Sequence, residues 1–311
     1  MTCQMKIEVK IILFFIIFLC TIQPVYAKRV RLVPNHPIQK QFDRGPAKYV
    51  VRSSIDLCGQ SIKVPDGSSI LFRGGCIFNG KMSGAFYVKG AKKGSLNVVL
   101  NKGSRLLSEF HVYNQTPAIN ASILAACRVG AFLEEDVVIN SDVNLHCSLD
   151  GQDHILSADS TVAAVIRMTN MKDITIKSII IHRDYSREIN KNYALICRNS
   201  SNVTVKDSFV EGRLYFVNNT FSDDMSDISS GIVIKNCDLS CDISSCPQGW
   251  QYGQDHIAFY SIKDILMSNN RITSVGVNRV LKTSQYFSNN DYSSVLHCTD
   301  NVSFEGNTVI A

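Results

Sequence analysis

Gly253-Gln254-Asp255-His256-Ile257 sets a carboxylate beside an imidazole, directly after a short segment that contains Trp250 and Tyr252. A neighbouring acid and imidazole are the ordinary parts of proton transfer, and Trp and Tyr rings are flat apolar platforms on which sugars stack. The next stretch adds Arg271, Asn278, Arg279 and Lys282. Guanidinium and ammonium groups hold carboxylates, and a lysine can serve as a base. The combination therefore suits removal of the proton α to a uronate carboxyl, or acid–base cleavage of a glycosidic bond. Asp255, His256, Arg279 and Lys282 are the candidate catalytic residues, with Trp250, Tyr252 and Arg271 as candidate substrate contacts. His182-Arg183-Asp184-Tyr185 opens a longer polar loop and adds His182 and Arg183 to those contacts. The competing reading of Gly253 to Ile257 is a turn in which Asp255 caps backbone amides and His256 is partly exposed. The same five residue types recur at Gly151-Gln152-Asp153-His154-Ile155, at a different distance from the following repeat, which fits chance recurrence. Asp223, Asp224 and Asp227 share a Ser-rich loop, where calcium is the one cofactor the pattern admits and solvated acids are the alternative.

These residues hang on a repeat. Asp173-Ile174-Thr175-Ile176-Lys177-Ser178, Asn202-Val203-Thr204-Val205-Lys206-Asp207, Gly231-Ile232-Val233-Ile234-Lys235-Asn236, Asp264-Ile265-Leu266-Met267-Ser268-Asn269 and Asn301-Val302-Ser303-Phe304-Glu305-Gly306 share one register, with first apolar residues 29, 29, 33 and 37 apart. Alternation of apolar and polar residues marks a short strand, and a small or polar corner leads to a further apolar residue such as Phe209, Leu239, Ile272 or Val309. A unit this small cannot bury its apolar face alone and must stack on its neighbours, so the expected object is a solenoid of parallel strands. Upstream, Val50, Ile55, Leu57, Ile62, Val64, Ile70, Phe72, Ile77 and Phe78 mark further short strands, punctuated by Gly59, Pro65-Asp66-Gly67, Gly74-Gly75 and Asn79-Gly80. Thr116 and Pro117 begin a helix whose apolar stripe is Ile119, Ile123, Leu124 and Cys127.

Repeats of the form Asn-Val-Thr-Val-x-Asp/Asn, with Asn269-Asn270 and Asn307 at corners, resemble the coils of the pectin-lyase-like right-handed parallel β-helix superfamily. Thr116-Pro117-Ala118-Ile119-Asn120 before Val137-Val138-Ile139 and Val143-Asn144-Leu145 resembles the entry of that superfamily, where a helix precedes the main coils. The resemblance spans roughly residues 114 to 311, and Tyr49 to Gly80 looks like the extra N-terminal coils of secreted bacterial members. It implies an all-β, right-handed parallel β-helix with one short helix on its N-terminal side. It also implies a polysaccharide partner, through a polysaccharide lyase, a glycoside hydrolase or a non-catalytic glycan-binding or cell-surface protein. Polygalacturonase-like members carry Asn-Thr-Asp, Asp-Asp, Gly-His-Gly and Arg-Ile-Lys on successive coils. Here Asp223-Asp224 lies in a loop, Gly-His-Gly is absent and Arg271-Ile272 is followed by Thr273, so no catalytic residue carries over.

The ends and the composition complete the expectation. Lys6 and Lys10, the apolar run Ile11 to Leu19 and Val25-Tyr26-Ala27 read as a signal peptide cleaved after residue 27, too short for a retained membrane span. The product is expected outside the cytoplasm of a bacterium: extracellular, periplasmic or on the cell surface. Residues 28 to 48, with Pro34, Pro37 and Pro46, read as a linker or extended arm, 49 to 113 as N-terminal coils and 114 to 311 as the main β-helix. Ala311 follows directly on an apolar strand, so the last coil is expected to continue in a longer chain or to meet another chain. Of 11 cysteines, nine remain after cleavage. Cys58, Cys76, Cys147, Cys197 and Cys237 read as core fillers, and Cys241 with Cys246 as a disulfide staple. The formal charge of +5 becomes +4 when Lys6, Lys10 and Glu8 leave, and no basic run interleaves with aromatics. Mild positive charge favours an acidic glycan and argues against nucleic acid.

Overall fold

Each of the five repeats is a strand held between two left-handed corners. At its start, Asp173, Asn202, Asp264 and Asn301 have φ of 52° to 58°, and Gly231 has 72°. At its end, Ser178, Asp207, Asn236, Asn269 and Gly306 have φ of 48° to 61°. Left-handed backbone turns the chain out of the strand direction, and Gly, Asn and Asp adopt it at least cost. Stacked corners also bond to one another: Asn202 Nδ2 donates to Asp173 Oδ1 at 2.8 Å, Asn236 Nδ2 to Asp207 Oδ1 at 3.0 Å, and Asn301 Nδ2 to Asp264 Oδ1 at 2.6 Å. The glycine at 231 has a second reason, since a Cβ there would fall 2.6 Å from Asn202 Oδ1.

The structure, a computed structural model, describes residues 28–188, 191–218, 229–247, 254–284 and 299–311. Its strands stack into parallel sheets, one strand of each sheet per coil, as a parallel β-helix requires. The first sheet of the main body runs Phe110–Val112, Gly130–Leu133, Ser148–Asp150, Lys172–Lys177, Ser201–Lys206, Ser230–Lys235, Lys263–Ser268 and Asp300–Glu305. The second runs Val137–Ile139, Ile155–Ala158, Ile180–Arg183, Phe209–Glu211, Asp238–Asp242, Arg271–Val275 and Thr308–Ile310. The third runs Val143–Asn144, Ala164–Thr169, Tyr193–Arg198, Arg213–Val217, Asp255–Tyr260 and Arg279–Ser284. Register matches the repeat: Ile174, Val203, Ile232, Ile265 and Val302 lie in one row, the first four at 5 % exposure or less. Burying each such side chain contributes about 1.5–3 kcal/mol. No helix among the described residues is long and apolar enough to cross a membrane.

Three details differ from the sequence expectation. The inward residue after the second-repeat corner is Val210, in register with Ile181 and Leu239, whereas Phe209 is 36 % exposed. Residues 28–48 contain strand Arg29–Arg31, paired with Lys48–Val51, and a second helix, Ile38–Phe42, and they bury Leu32, Ile38 and Phe42 in the core. A three-residue strand and a five-residue helix are too short to show a period between prolines. Cys58 is exposed and Cys76 half-buried, so neither is a core filler; Cys241 and Cys246 lie in one small apolar cluster with Ile243 and form no disulfide with each other.

The expected helix is present as Pro117–Ala126, after Thr116. It packs between Leu96–Leu100, which belongs to an N-terminal sheet with Ile55–Asp56, Ser61–Lys63 and Ile77–Ser83, and Val143–Asn144, the first strand of the third sheet. The helix thus interrupts the stacking of strands on one side of the solenoid.

Candidate functional site

The third sheet carries the four candidate catalytic residues, Asp255, His256, Arg279 and Lys282, and its outer face adds aromatic rings and further cations. Ile166, Leu195, Leu214 and Ile257 form a buried row, and the adjacent row, facing the other way by strand alternation, is Arg167, Ile196, Tyr215, Ala258 and Lys282. Two residues along lies the row Thr169, Arg198, Val217, Tyr260 and Ser284. Rungs of parallel sheet repeat every 4.8 Å or about that, which is why rings on neighbouring coils meet. Tyr193 and Tyr215 have centroids 5.9 Å apart, and Tyr215 and Tyr260 5.3 Å. Arg213 Cζ sits 4.5 Å from the Tyr193 centroid, and Lys282 Nζ 4.8 Å from that of Tyr260. Cations over ring faces are held in place by the ring quadrupole. Among the described residues, the strands of this sheet carry five cations, Arg167, Arg198, Arg213, Arg279 and Lys282, against one carboxylate, Asp255.

The structure brings Asp255, His256, Arg279 and Lys282 onto adjacent strands and shows what they are committed to. Asp255 opposes Arg279 in register, and Arg279 Nε donates to Asp255 Oδ1 at 2.5 Å. The Asp255 side chain is 2 % exposed and that of Arg279 is 43 % exposed. The bond to Asp255 raises the Arg279 guanidinium above its ordinary value, so Arg279 stays a cation and is no base. Arg213 Nε donates to the Asp255 carbonyl oxygen at 2.8 Å, locking the strand start.

His256 corrects the sequence reading. It is fully buried, where the turn reading left it partly exposed and the catalytic reading needs it at the surface. Its Nδ1 lies 2.7 Å from Ser274 Oγ, and its buried Nε2 has no partner among the described residues. Burial, and then the charge of Arg213, push its pKa down to about 3. The ring is neutral at any ordinary pH and is shielded from a polymeric substrate. Gly151-Gln152-Asp153-His154-Ile155 has another conformation: Gln152 and Asp153 are left-handed at a corner, and His154 is 3.5 Å from Asp136. The recurrence therefore carries no shared structure.

Arg183 is likewise corrected. It is 1 % exposed, and its guanidinium donates to the carbonyls of Tyr193 at 2.9 Å, Val162 at 3.0 Å and Asp184 at 3.4 Å. It clamps the corner between the second and third sheets, and Gly212 leaves it room, since a Cβ there would fall 2.9 Å from Arg183 Cδ. His182 stands exposed on the second sheet, bonded to Glu211. Arg271 is on that sheet too, 3.7 Å from Asp238, so the corner separates it from the face carrying Arg279 and Lys282. Trp250 and Tyr252, and the acidic loop Asp223, Asp224 and Asp227, lie outside the described residues. Among the described residues no group of three His, Cys, Asp or Glu side chains is placed to hold a metal ion.

Tyr193, Arg198, Arg213, Tyr215 and Tyr260 escaped the sequence reading. Each sits on a third-sheet strand, and the loops ahead of those strands differ in length, so these residues share no fixed offset from the repeat. Comparison with known protein families, with curated proteins and with solved structures finds no match to this chain.

Proposed function

We propose that the protein is a secreted β-helix that binds an acidic polysaccharide along the outer face of its third sheet. One observation carries the reading: the exposed or half-buried cations Arg167, Arg198, Arg279 and Lys282 share these strands with the contacting rings of Tyr193, Tyr215 and Tyr260, while the one carboxylate of the described strands, Asp255, is buried. Rings supply apolar area to sugar faces, and cations answer carboxylate or sulfate groups. A strand ladder presents such groups at a regular spacing, which suits a repeating polymer. The leader-like residues 1 to 27 support secretion, and the coil pattern supports kinship with the pectin-lyase-like superfamily.

Recognition is favoured over cleavage. Asp255 and His256, the acid and imidazole of the catalytic reading, are buried and engaged. Hydrolysis with two carboxylates would need two acids open to the polymer on this face, and the one acid of its described strands, Asp255, is buried. Cleavage by elimination keeps one candidate base, Lys282, half-buried beside Tyr260. The test is affinity electrophoresis of residues 28–311 through gels containing polyuronate, sulfated or neutral polysaccharide, with reducing ends and unsaturated-sugar absorbance followed in parallel. Retardation by the acidic polymers alone, without new ends, is the expected result. Equal mobility in all gels would sink the proposal, and absorbance rising with the reducing ends would convert it to a lyase.

A further inference from the structure

The flat face of the third sheet ends in a recess. Its first strand is Val143–Asn144, and on the N-terminal side the next layer is the helix Pro117–Ala126 rather than a strand. Where the ladder breaks, a cavity of about 560 Å³ opens between the helix C-terminus, the turn around Lys102 and the first two strands of the sheet. That volume lies within the range of small-molecule sites, whereas a sheet face alone offers no enclosure.

The recess has the chemistry of an anion site. Lys102, Arg128 and Arg167 line it together with Asn144, His146 and Thr169. Arg128 is preset: its Nη1 donates to the carbonyl oxygens of Ala125 at 2.7 Å and Cys127 at 2.9 Å, which answers the negative end of the helix and fixes the guanidinium plane. Arg167 is ion-paired through its Nε with Asp142, which fixes the side chain. Burial, and then Arg128, lower the pKa of His146, so its ring enters as a neutral hydrogen-bonding group. Asn144 and Thr169 add exposed amide and hydroxyl groups of the kind that read sugar hydroxyls. Because Asn144, Arg167 and Thr169 belong to the third sheet, the recess is continuous with the face proposed for the polymer.

We infer that this recess is an anchoring subsite that takes one anionic sugar unit of the hexuronate class, and that it lets the protein bind short acidic oligosaccharides as well as long chains. The inference rests on the acidic-polysaccharide reading above. The test is isothermal titration of residues 28–311 with a hexuronate disaccharide, with the matching neutral disaccharide and with inorganic sulfate, alongside gel retardation by the polymer. Lys102 is exposed in a turn, so Lys102→Glu leaves the fold intact. The expected result is hexuronate binding that weakens by about tenfold or more in Lys102→Glu, as loss of a charge-assisted contact implies. In Lys282→Ala the disaccharide affinity is expected to persist while polymer retardation weakens. Polymer binding without disaccharide binding, or a Lys102→Glu titration that matches the wild type, overturns the subsite and leaves the polymer reading standing. Failure of both polymer and disaccharide to bind overturns both. Sulfate binding as tight as hexuronate, with the same Lys102 dependence, overturns the sugar assignment.

Discussion

His256 makes the burial of the acid–imidazole pair measurable. Its ring is neutral in the folded protein down to about pH 3, whereas in the unfolded chain it takes up a proton near 6.5. Between those values the unfolded chain binds a proton that the folded chain refuses. The stabilisation is therefore complete above pH 6.5 and is lost as pH falls toward 3. At about 1.36 kcal/mol per pH unit, lowering the pH from 6.5 to 4 removes roughly 3 kcal/mol. Urea unfolding of the wild type and of His256→Gln at pH 7.5, 5.5 and 4 isolates this contribution, because other titrating groups cancel in the difference. The wild type is expected to lose about 3 kcal/mol more than the variant between pH 7.5 and 4. The ring resonance of His256 should not move above pH 4.5 or thereabouts. Parallel stability curves, or a ring that titrates near 6.5, would refute the burial argument and return His256 to the list of catalytic candidates.

The corners, the interior and the face supply three further expectations. Gly231→Ala places a Cβ at φ 72° and 2.6 Å from Asn202 Oδ1, and should cost about 1–3 kcal/mol in urea unfolding. Gly94→Ala, at φ 76° with nothing within 4 Å, should cost less, so the difference between the two reads the clash apart from the backbone strain. Asn270→Ala strands the Cys237 amide and the Ile234 carbonyl, which Asn270 bonds at 3.0 and 2.9 Å, and should cost about 2–4 kcal/mol. Tyr215→Ala removes the middle ring of the tyrosine row and should weaken polysaccharide retardation by about tenfold, with a circular dichroism spectrum like that of the wild type.

The helix Pro117–Ala126 and the early strand residues Val50, Ile55, Leu57, Ile62, Val64, Ile70, Phe72 and Ile77 were legible because proline at a helix start and alternation between turn residues are local signals. The cluster Arg271, Arg279 and Lys282 was misjudged because neighbours in sequence fall on different sheets once a corner intervenes. Arg183 and His256 look like surface chemistry by residue type, and only packing between the second and third sheets makes them internal clamps.

What the chain determines by itself is the coil. An apolar pair between two residues able to turn left-handed, repeated at Asp173/Ser178, Asn202/Asp207, Gly231/Asn236, Asp264/Asn269 and Asn301/Gly306, leaves stacking as the way to cover the apolar rows. Tertiary structure alone decides the face. The loops before the third sheet differ in length, so Tyr193, Tyr215 and Tyr260 have no common period in sequence, and hydrogen bonding between coils brings their rings within 6 Å. Stacking registers strands in space, where loop length no longer counts, and that step assembles the cationic, aromatic surface on which the proposed function rests.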